Sequence, residues 1–303
     1  MELRVLRYFL AVAREESITG AAHALHVTQP TLSRQIRDLE EELGQQLLTR
    51  GGRRVLLTPA GMLLRQRAEE IVAMADKTEA EFRAMKGALS GDIYIGGGET
   101  DAMNQVAAVC RELQALHPGI RYHLYSGNAQ DVTERLDKGL LDFGILIQPT
   151  DLAKYQCLSI PARDTWGVLM RRDSPLAAKP SLGVEDLLPL PLIFSRQVLE
   201  ERSGHNELAA WFGPAWGKLH IVTTFNLCYN AAVMAKQGVG YVLSLDKLVD
   251  TSPESPLCFR PLRPKLESRL DVVWKKHAVF SAAAELFLER LRARFAEADT
   301  DAP

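Results

Sequence analysis

A chain of 303 residues is long enough for two or three domains, each with its own core. An apolar fraction of 47% and a charged fraction of 24% are ordinary for a water-soluble protein, and no run of about 18 apolar residues exists to span a bilayer. The net charge of −2 does not announce a polyanionic partner, but the placement of charge matters more than its sum. The opening MELRVLRYF lacks the basic, apolar, then small-residue order of a signal peptide, so a cytoplasmic location without membrane contact is expected.

Leu3, Leu6, Leu10 and Ala13 recur at helical spacing and predict a first helix. Ser17 to Gly44 then reads as two short helices joined by a tight turn. Ala21, Ala22 and Leu25 share a face of the first, and His26 and Val27 make the turn. Thr28 can cap the second, with Pro30 in its first turn, where a missing N–H costs nothing. Leu32, Ile36, Leu39 and Leu43 return every three or four residues, a stripe that must face a core. Arg34 and Arg37 project away from that stripe, and Gln29, Thr31 and Ser33 cluster at the helix start. Apolar groups inside and hydrogen-bonding groups at the start of the outer helix are the layout of a helix-turn-helix, although an ordinary amphipathic pair shares the stripe.

Two short strands, Leu47–Arg50 and Arg53–Leu57, are predicted around a Gly51-Gly52 turn. Such a basic wing reaches phosphates and a narrow minor groove. The residues expected to meet DNA are Ser17, Thr28, Gln29, Pro30, Thr31, Ser33, Arg34, Arg37, Arg50, Arg53 and Arg54. The first 60 residues hold eight Lys/Arg against seven Asp/Glu, so non-specific affinity should be modest.

From Leu6 to Gly61 the sequence resembles the LysR-type transcriptional regulators nearly position by position, through SITGAA, TQPTLSRQI, LEEELG and LTPAG. The match is looser beyond. The resemblance implies a homodimer, assembling into a tetramer, that reads a pseudo-palindromic operator in double-stranded DNA. It also implies a small-molecule effector bound between two lobes, and RNA polymerase as a partner.

Thr58-Pro59 caps a predicted long helix running to about Lys86. Leu64, Ala68, Ile71, Ala75, Thr78, Phe82, Met85 and Leu89 follow in alternating steps of four and three, a heptad seam. The seam can meet its counterpart in another copy or pack on the chain's own C-terminal domain; in LysR-type relatives this helix is the dimerisation linker. Gly87–Gly91 is a hinge-like break. Strands (93–95, 121–125, 143–147) and helices (103–117, 130–138) then alternate, as parallel strands covered by helices do. A polar crossover (148–165) leads to a second alternating set, from Trp166–Arg171 to Tyr241–Ser244. A Pro-rich stretch (252–264), a strand (271–276) and a last helix (282–295) close the chain. The expected organisation is an all-α winged helix-turn-helix over 1–58, a linker helix over 59–87 and an α/β domain over 91–299. That domain has one lobe of about 91–161 with 268–299 and another of about 162–267, and in the resemblance it is like a periplasmic binding protein.

Gly96, Gly97 and Gly98 follow a strand, but Asp101 breaks the dinucleotide fingerprint. The glycines instead let a ligand approach the backbone near a helix start. Glu99 and Asp101 either cap that helix or favour an amine, a hydroxyl or a bridging cation over a carboxylate. Asn128, Ser195-Arg196 and Phe225-Asn226 occupy similar strand ends, where such sheets bind ligands. The expected effector set is therefore Gly98, Glu99, Thr100, Asp101, Asn128, Ser195, Arg196, Phe225 and Asn226, with Arg196 as the cation for an acidic effector. His23 and His26 lack a third metal ligand, and the cysteines (110, 157, 228, 258) lie too far apart for a zinc motif. They are expected to be reduced, in or near cores. Segment 195–217 holds no cysteine, which argues against the peroxide-sensing pair of some LysR-type proteins. No G-x-S-x-G segment exists. No catalytic centre, cofactor or metal is expected.

Overall fold

Local signals in the first 60 residues translate directly into structure. The computed structural model describes residues 1–51, 54–84, 89–148, 150, 152–200 and 206–300. Helix α1 (Leu3–Glu15) buries Val5, Leu6, Phe9 and Val12. The Ser17 Oγ accepts from the Gly20 N–H at 3.1 Å and starts α2 (Ile18–Ala24). His26 takes a left-handed conformation in the turn (φ 54°). The Thr28 hydroxyl accepts from the Thr31 N–H and starts α3 (Gln29–Leu43), and Gly44 at φ 62° ends it. Leu32, Ile36 and Leu39 are buried, whereas Leu43 is exposed because the core has ended by the last turn.

Strands β1 (Leu48–Gly51) and β2 (Arg54–Leu57) pair from Leu48↔Leu57 to Gly51↔Arg54. Gly51, expected in the turn, is therefore part of the first strand, and residues 52 and 53 lie outside the described residues. Helix α4 (Pro59–Ala84) begins where the Thr58 hydroxyl accepts from the Gly61 N–H (3.0 Å) and donates to the Gln46 carbonyl (2.7 Å). A methyl group on Gly61 would lie 2.1 Å from the Leu47 carbonyl oxygen, so glycine is what lets α4 approach the wing. By its contacts α4 belongs with the first of two units, Met1–Arg83, the second being Ala84–Pro303.

The second unit is built on a nine-stranded sheet. In its first half β3 (Gly91–Gly97) lies parallel between β4 (Ile120–Ser126) and β5 (Phe143–Ile147). Helix α5 (Met103–Leu116) packs on one face with the last helix, and α6 (Ala129–Asp137) on the other. Strand β6 (Tyr155–Arg171) is shared by both halves. The segment expected as a polar crossover is thus mostly strand. Its early residues have one solvent-facing side, and only Gly167–Met170 are buried throughout, so most of it reads as polar.

The second half holds α7 (Val184–Leu187), β7 (Leu192–Ser195), α8 (Arg196–Glu200), α9 (Glu207–Phe212), β8 (Ile221–Phe225), α10 (Cys228–Lys236) and β9 (Tyr241–Leu245). Strand β7 runs parallel between β8 and β9. Its Ile193 faces α10, and Leu192 and Phe194 face the opposite core, the alternation a covered sheet requires. The Pro-rich stretch contains a strand, β10 (Leu257–Pro261), which pairs only with β6. Strand β11 (Glu267–Lys275) returns between β5 and β6, antiparallel to both. Helix α11 (Ala282–Thr300) then buries Ala283, Phe287 and Leu291 beside Ile93 and Val109.

Candidate functional site

Two places gather the candidate residues, one in each unit. In the first, burial of Leu32, Ile36 and Leu39 turns the opposite face of α3 outward. Thr28, Gln29, Pro30, Thr31, Arg34 and Arg37 are all exposed there. The Thr28 and Thr31 hydroxyls are 2.8 Å apart, and Arg34 makes only a 3.8 Å pair with Asp38 one turn on. Gln29 and Arg37 have no side-chain partner among the described residues. Ser33 is half-buried, and Ser17 is half-buried and engaged as the cap of α2. In the wing, Arg54 pairs with Glu16 at 3.3 Å, which offsets its charge; Arg53 and the Arg50 side chain lie outside the described residues.

A further residue, Glu40, lies outside the expected set of site residues. Its Oε1 accepts from the Leu47 N–H (2.8 Å) and the Leu48 N–H (3.1 Å), tying α3 to the wing.

The heptad seam of α4 divides. Leu64 is half-buried against the winged-helix core, so the chain's own first unit occupies this position, an option not foreseen in the sequence, and Ala68 is fully buried. Ala75 is half-buried, and the Thr78 hydroxyl bonds back to the Met74 carbonyl (2.8 Å). Ile71 is 42% and Phe82 65% exposed, and Met62 and Leu63 add exposed apolar surface. Met85 lies outside the described residues.

In the second unit, strand ends from both halves of the sheet enclose a cavity of about 80 Å³. Gly98, Glu99, Asn128, Ser195, Phe225 and Asn226 line it, as do Trp166 and Gln197. An adjoining cavity of about 100 Å³ extends past Trp166 and Ser195 to Gln148 and Ser268. Three expected residues lie outside these walls. The Thr100 hydroxyl donates to the buried Asp164 carboxylate (2.5 Å) and accepts from the Ala102 N–H (3.0 Å). Asp101 pairs with Lys247 at 3.2 Å. Arg196, expected as the cation for an acidic effector, is exposed, because it opens a short helix that carries Gln197 inward in its place.

The two halves grip one another across this cleft. The Cys228 N–H, at the start of α10, donates to Glu99, and the Ala129 N–H, at the start of α6, donates to Gln197 Oε1 at 3.1 Å. Each half thus caps a helix of the other. Asn128 completes a capping box with Asp131 on α6. Burial pushes the Asp164 carboxyl above the usual range, against the hydrogen bond from Thr100, with Asp246 and Asp101 adding to the rise. Burial likewise raises the Cys228 thiol to about 11. All four cysteines are free; Cys228 and Cys258 are buried, but Cys157 is exposed, on the solvent side of β6. Trp166 and Gln197 escaped the sequence reading because one sits mid-strand and the other in a five-residue helix that no periodicity marks.

Residues 3–62 match the family model of bacterial regulatory helix-turn-helix proteins of the lysR family, and residues 86–296 match that of the LysR substrate binding domain. The uncharacterized HTH-type transcriptional regulator YfeR of Shigella flexneri is 28% identical over 297 residues, covering 96% of this chain and 93% of that protein. The HTH-type transcriptional regulator BudR of Klebsiella aerogenes is 41% identical over 143 residues, covering 47% of this chain and 100% of that protein. Full-length CbnR, solved in complex with its target DNA, superposes with a TM-score of 0.74 at 20% identity, covering 98% of this chain and 100% of CbnR. No helix among the described residues is long and apolar enough to cross a membrane.

Proposed function

Because the chain belongs to the LysR family of DNA-binding transcriptional regulators with an effector-binding domain, we propose that two copies read the two half-sites of a pseudo-palindromic operator through α3. The exposed polar start of α3 above its buried stripe carries this reading. Gln29, Thr31, Arg34 and Arg37 reach base edges, and the wing arginines, Arg50, Arg53 and Arg54, reach phosphate or the minor groove. Copies pair through the exposed apolar positions of α4, Ile71 and Phe82 foremost, and pairs assemble into a tetramer. A small molecule enters the cleft beside Glu99, Asn128, Ser195 and Phe225 and favours one arrangement of the halves over another. The protein acts in the cytoplasm on transcription by RNA polymerase, and no catalytic step is assigned to it.

Selection of binding sites from random duplex DNA tests the reading. The expected product is a dyad-symmetric site whose base preference relaxes at one position in Gln29→Ala and in Arg34→Ala. A site without dyad symmetry, or preferences unchanged in both variants, counts against it.

A further inference from the structure

Three helices of more than two turns, α5, α6 and α10, begin at or beside the cleft, and the start of such a helix is the natural seat for an anion, with unpaired N–H groups and the positive end of the dipole. Here the chain fills each seat itself. At α10 the Cys228 N–H holds the Glu99 carboxylate from the opposite half. At α6 the Asn128, Ala129 and Asp131 N–H groups hold Asp131, Gln197 and Asn128 side chains respectively, at 3.2, 3.1 and 2.9 Å. At α5 the Ala102 N–H holds the Thr100 hydroxyl.

No lysine or arginine among the described residues lines the cavities beside Ser195 and Trp166. Lys247 is engaged by Asp101. A carboxylate entering would shed its water against the negative Glu99, with no counter-charge to meet it. One buried group does await a partner. The Gln148 Oε1 accepts from the Thr150 N–H (2.8 Å), but its buried Nε2 has no acceptor among the described residues. Gln148 lines the cavity beside Ser195 and Trp166. Turned toward the cavity, that donor would meet an oxygen acceptor, which a carbonyl or hydroxyl supplies without bringing charge. A cationic amine offers Gln148 no acceptor.

We propose that the cleft selects a small uncharged ligand bearing carbonyl or hydroxyl oxygens, and that Glu99 excludes carboxylates by occupying their seat. The assignment rests on the cleft being the effector site. Glu99 is thus a specificity-determining residue that acts as a built-in anion.

The test is isothermal titration of full-length wild type and Glu99→Ser with nicotinate, nicotinamide and 3-picolylamine, and with succinate and succinamide. Folding is checked by circular dichroism. The expected result is that neither acid binds wild type, whereas at least one binds Glu99→Ser about tenfold tighter or more, about 1.4 kcal/mol. Adding Ser195→Trp to Glu99→Ser should block the cleft and abolish that gain. A folded Glu99→Ser that gains no acid overturns Glu99 as the occupant of the seat. Acid binding to wild type that Ser195→Trp removes, or tighter binding of the amine than of nicotinamide, overturns the uncharged class while leaving the cleft as the site. An acid gain that survives Ser195→Trp places the ligand elsewhere and overturns the cleft reading itself.

Discussion

The outer face of α3 and the cleft of the second unit carry similar polar side chains, and the fold keeps them in opposite conditions. On α3, Gln29 and Arg37 stand in water with no partner among the described residues. In the cleft, Glu99, Asn128 and Gln197 are each hydrogen-bonded within the chain. Water solvates an exposed donor at no cost, whereas a buried one must be satisfied or it destabilises the fold. The α3 face can therefore meet its partner as it stands. In the cleft those hydrogen bonds join the two halves of the sheet, so a ligand bound there would act beside the groups that set their arrangement.

The largest expected effect separates the two regions outright. In Gly61→Val the new side chain meets the Leu47 carbonyl and forces α4 off the wing. A loss of about 3 kcal/mol is expected. In denaturant, the first unit should unfold early while ligand binding in the second persists; simultaneous loss of both would break the distinction. Next comes the α4 surface. Replacing Ile71 and Phe82 together by aspartate should weaken self-association by at least about 2 kcal/mol, read by sedimentation. A dimer of native strength would place the interface elsewhere. On the open face, Gln29→Ala and Arg34→Ala should each cost roughly 1–2 kcal/mol of operator affinity and little on random DNA. Neither variant should change stability measurably, because neither side chain supports the core; a destabilised variant would show that the face is not free.

The same contrast explains what could be read in the sequence. Caps, stripe and turn of the first unit are local, so Thr28, Pro30, Leu32, Ile36 and Leu39 reveal α2 and α3 without a tertiary context. The α/β class was equally visible, because buried parallel strands such as Phe143–Ile147 are apolar throughout. Packing between distant elements was not visible. Leu64 fits a heptad seam but packs on the winged-helix core. Residues 155–165 hid the larger part of a strand, because one face of it meets solvent. At the cleft, strand ends pointed to Glu99, Asn128, Ser195 and Phe225. Nothing local showed that Arg196 turns away, that Gln197 turns in, or that Glu99 reaches a helix in the other half.

The smallest expected effect concerns the most buried charge in that network. Asp164 is 1% exposed, and burial raises its pKa despite the hydrogen bond from Thr100. A carboxyl with a raised pKa holds its proton more tightly in the folded chain than in the unfolded one. Its contribution to stability is then fully present below the unfolded value, about pH 4, and is lost as pH rises through the folded value. Asp164→Asn keeps an oxygen that accepts from Thr100 and removes the charge. The variant should therefore gain on wild type as pH rises from about 4, and the gap should become constant once Asp164 is ionised, at no more than about 1 kcal/mol. Titratable groups common to both proteins cancel in the difference, so paired thermal denaturation from pH 4 to 8 isolates Asp164. A gap that stays flat from pH 4 upward would show that the carboxyl titrates as an ordinary exposed one. A gap that shrinks as pH rises would mean that its charge strengthens the fold, and that Lys247 outweighs burial and the two neighbouring aspartates.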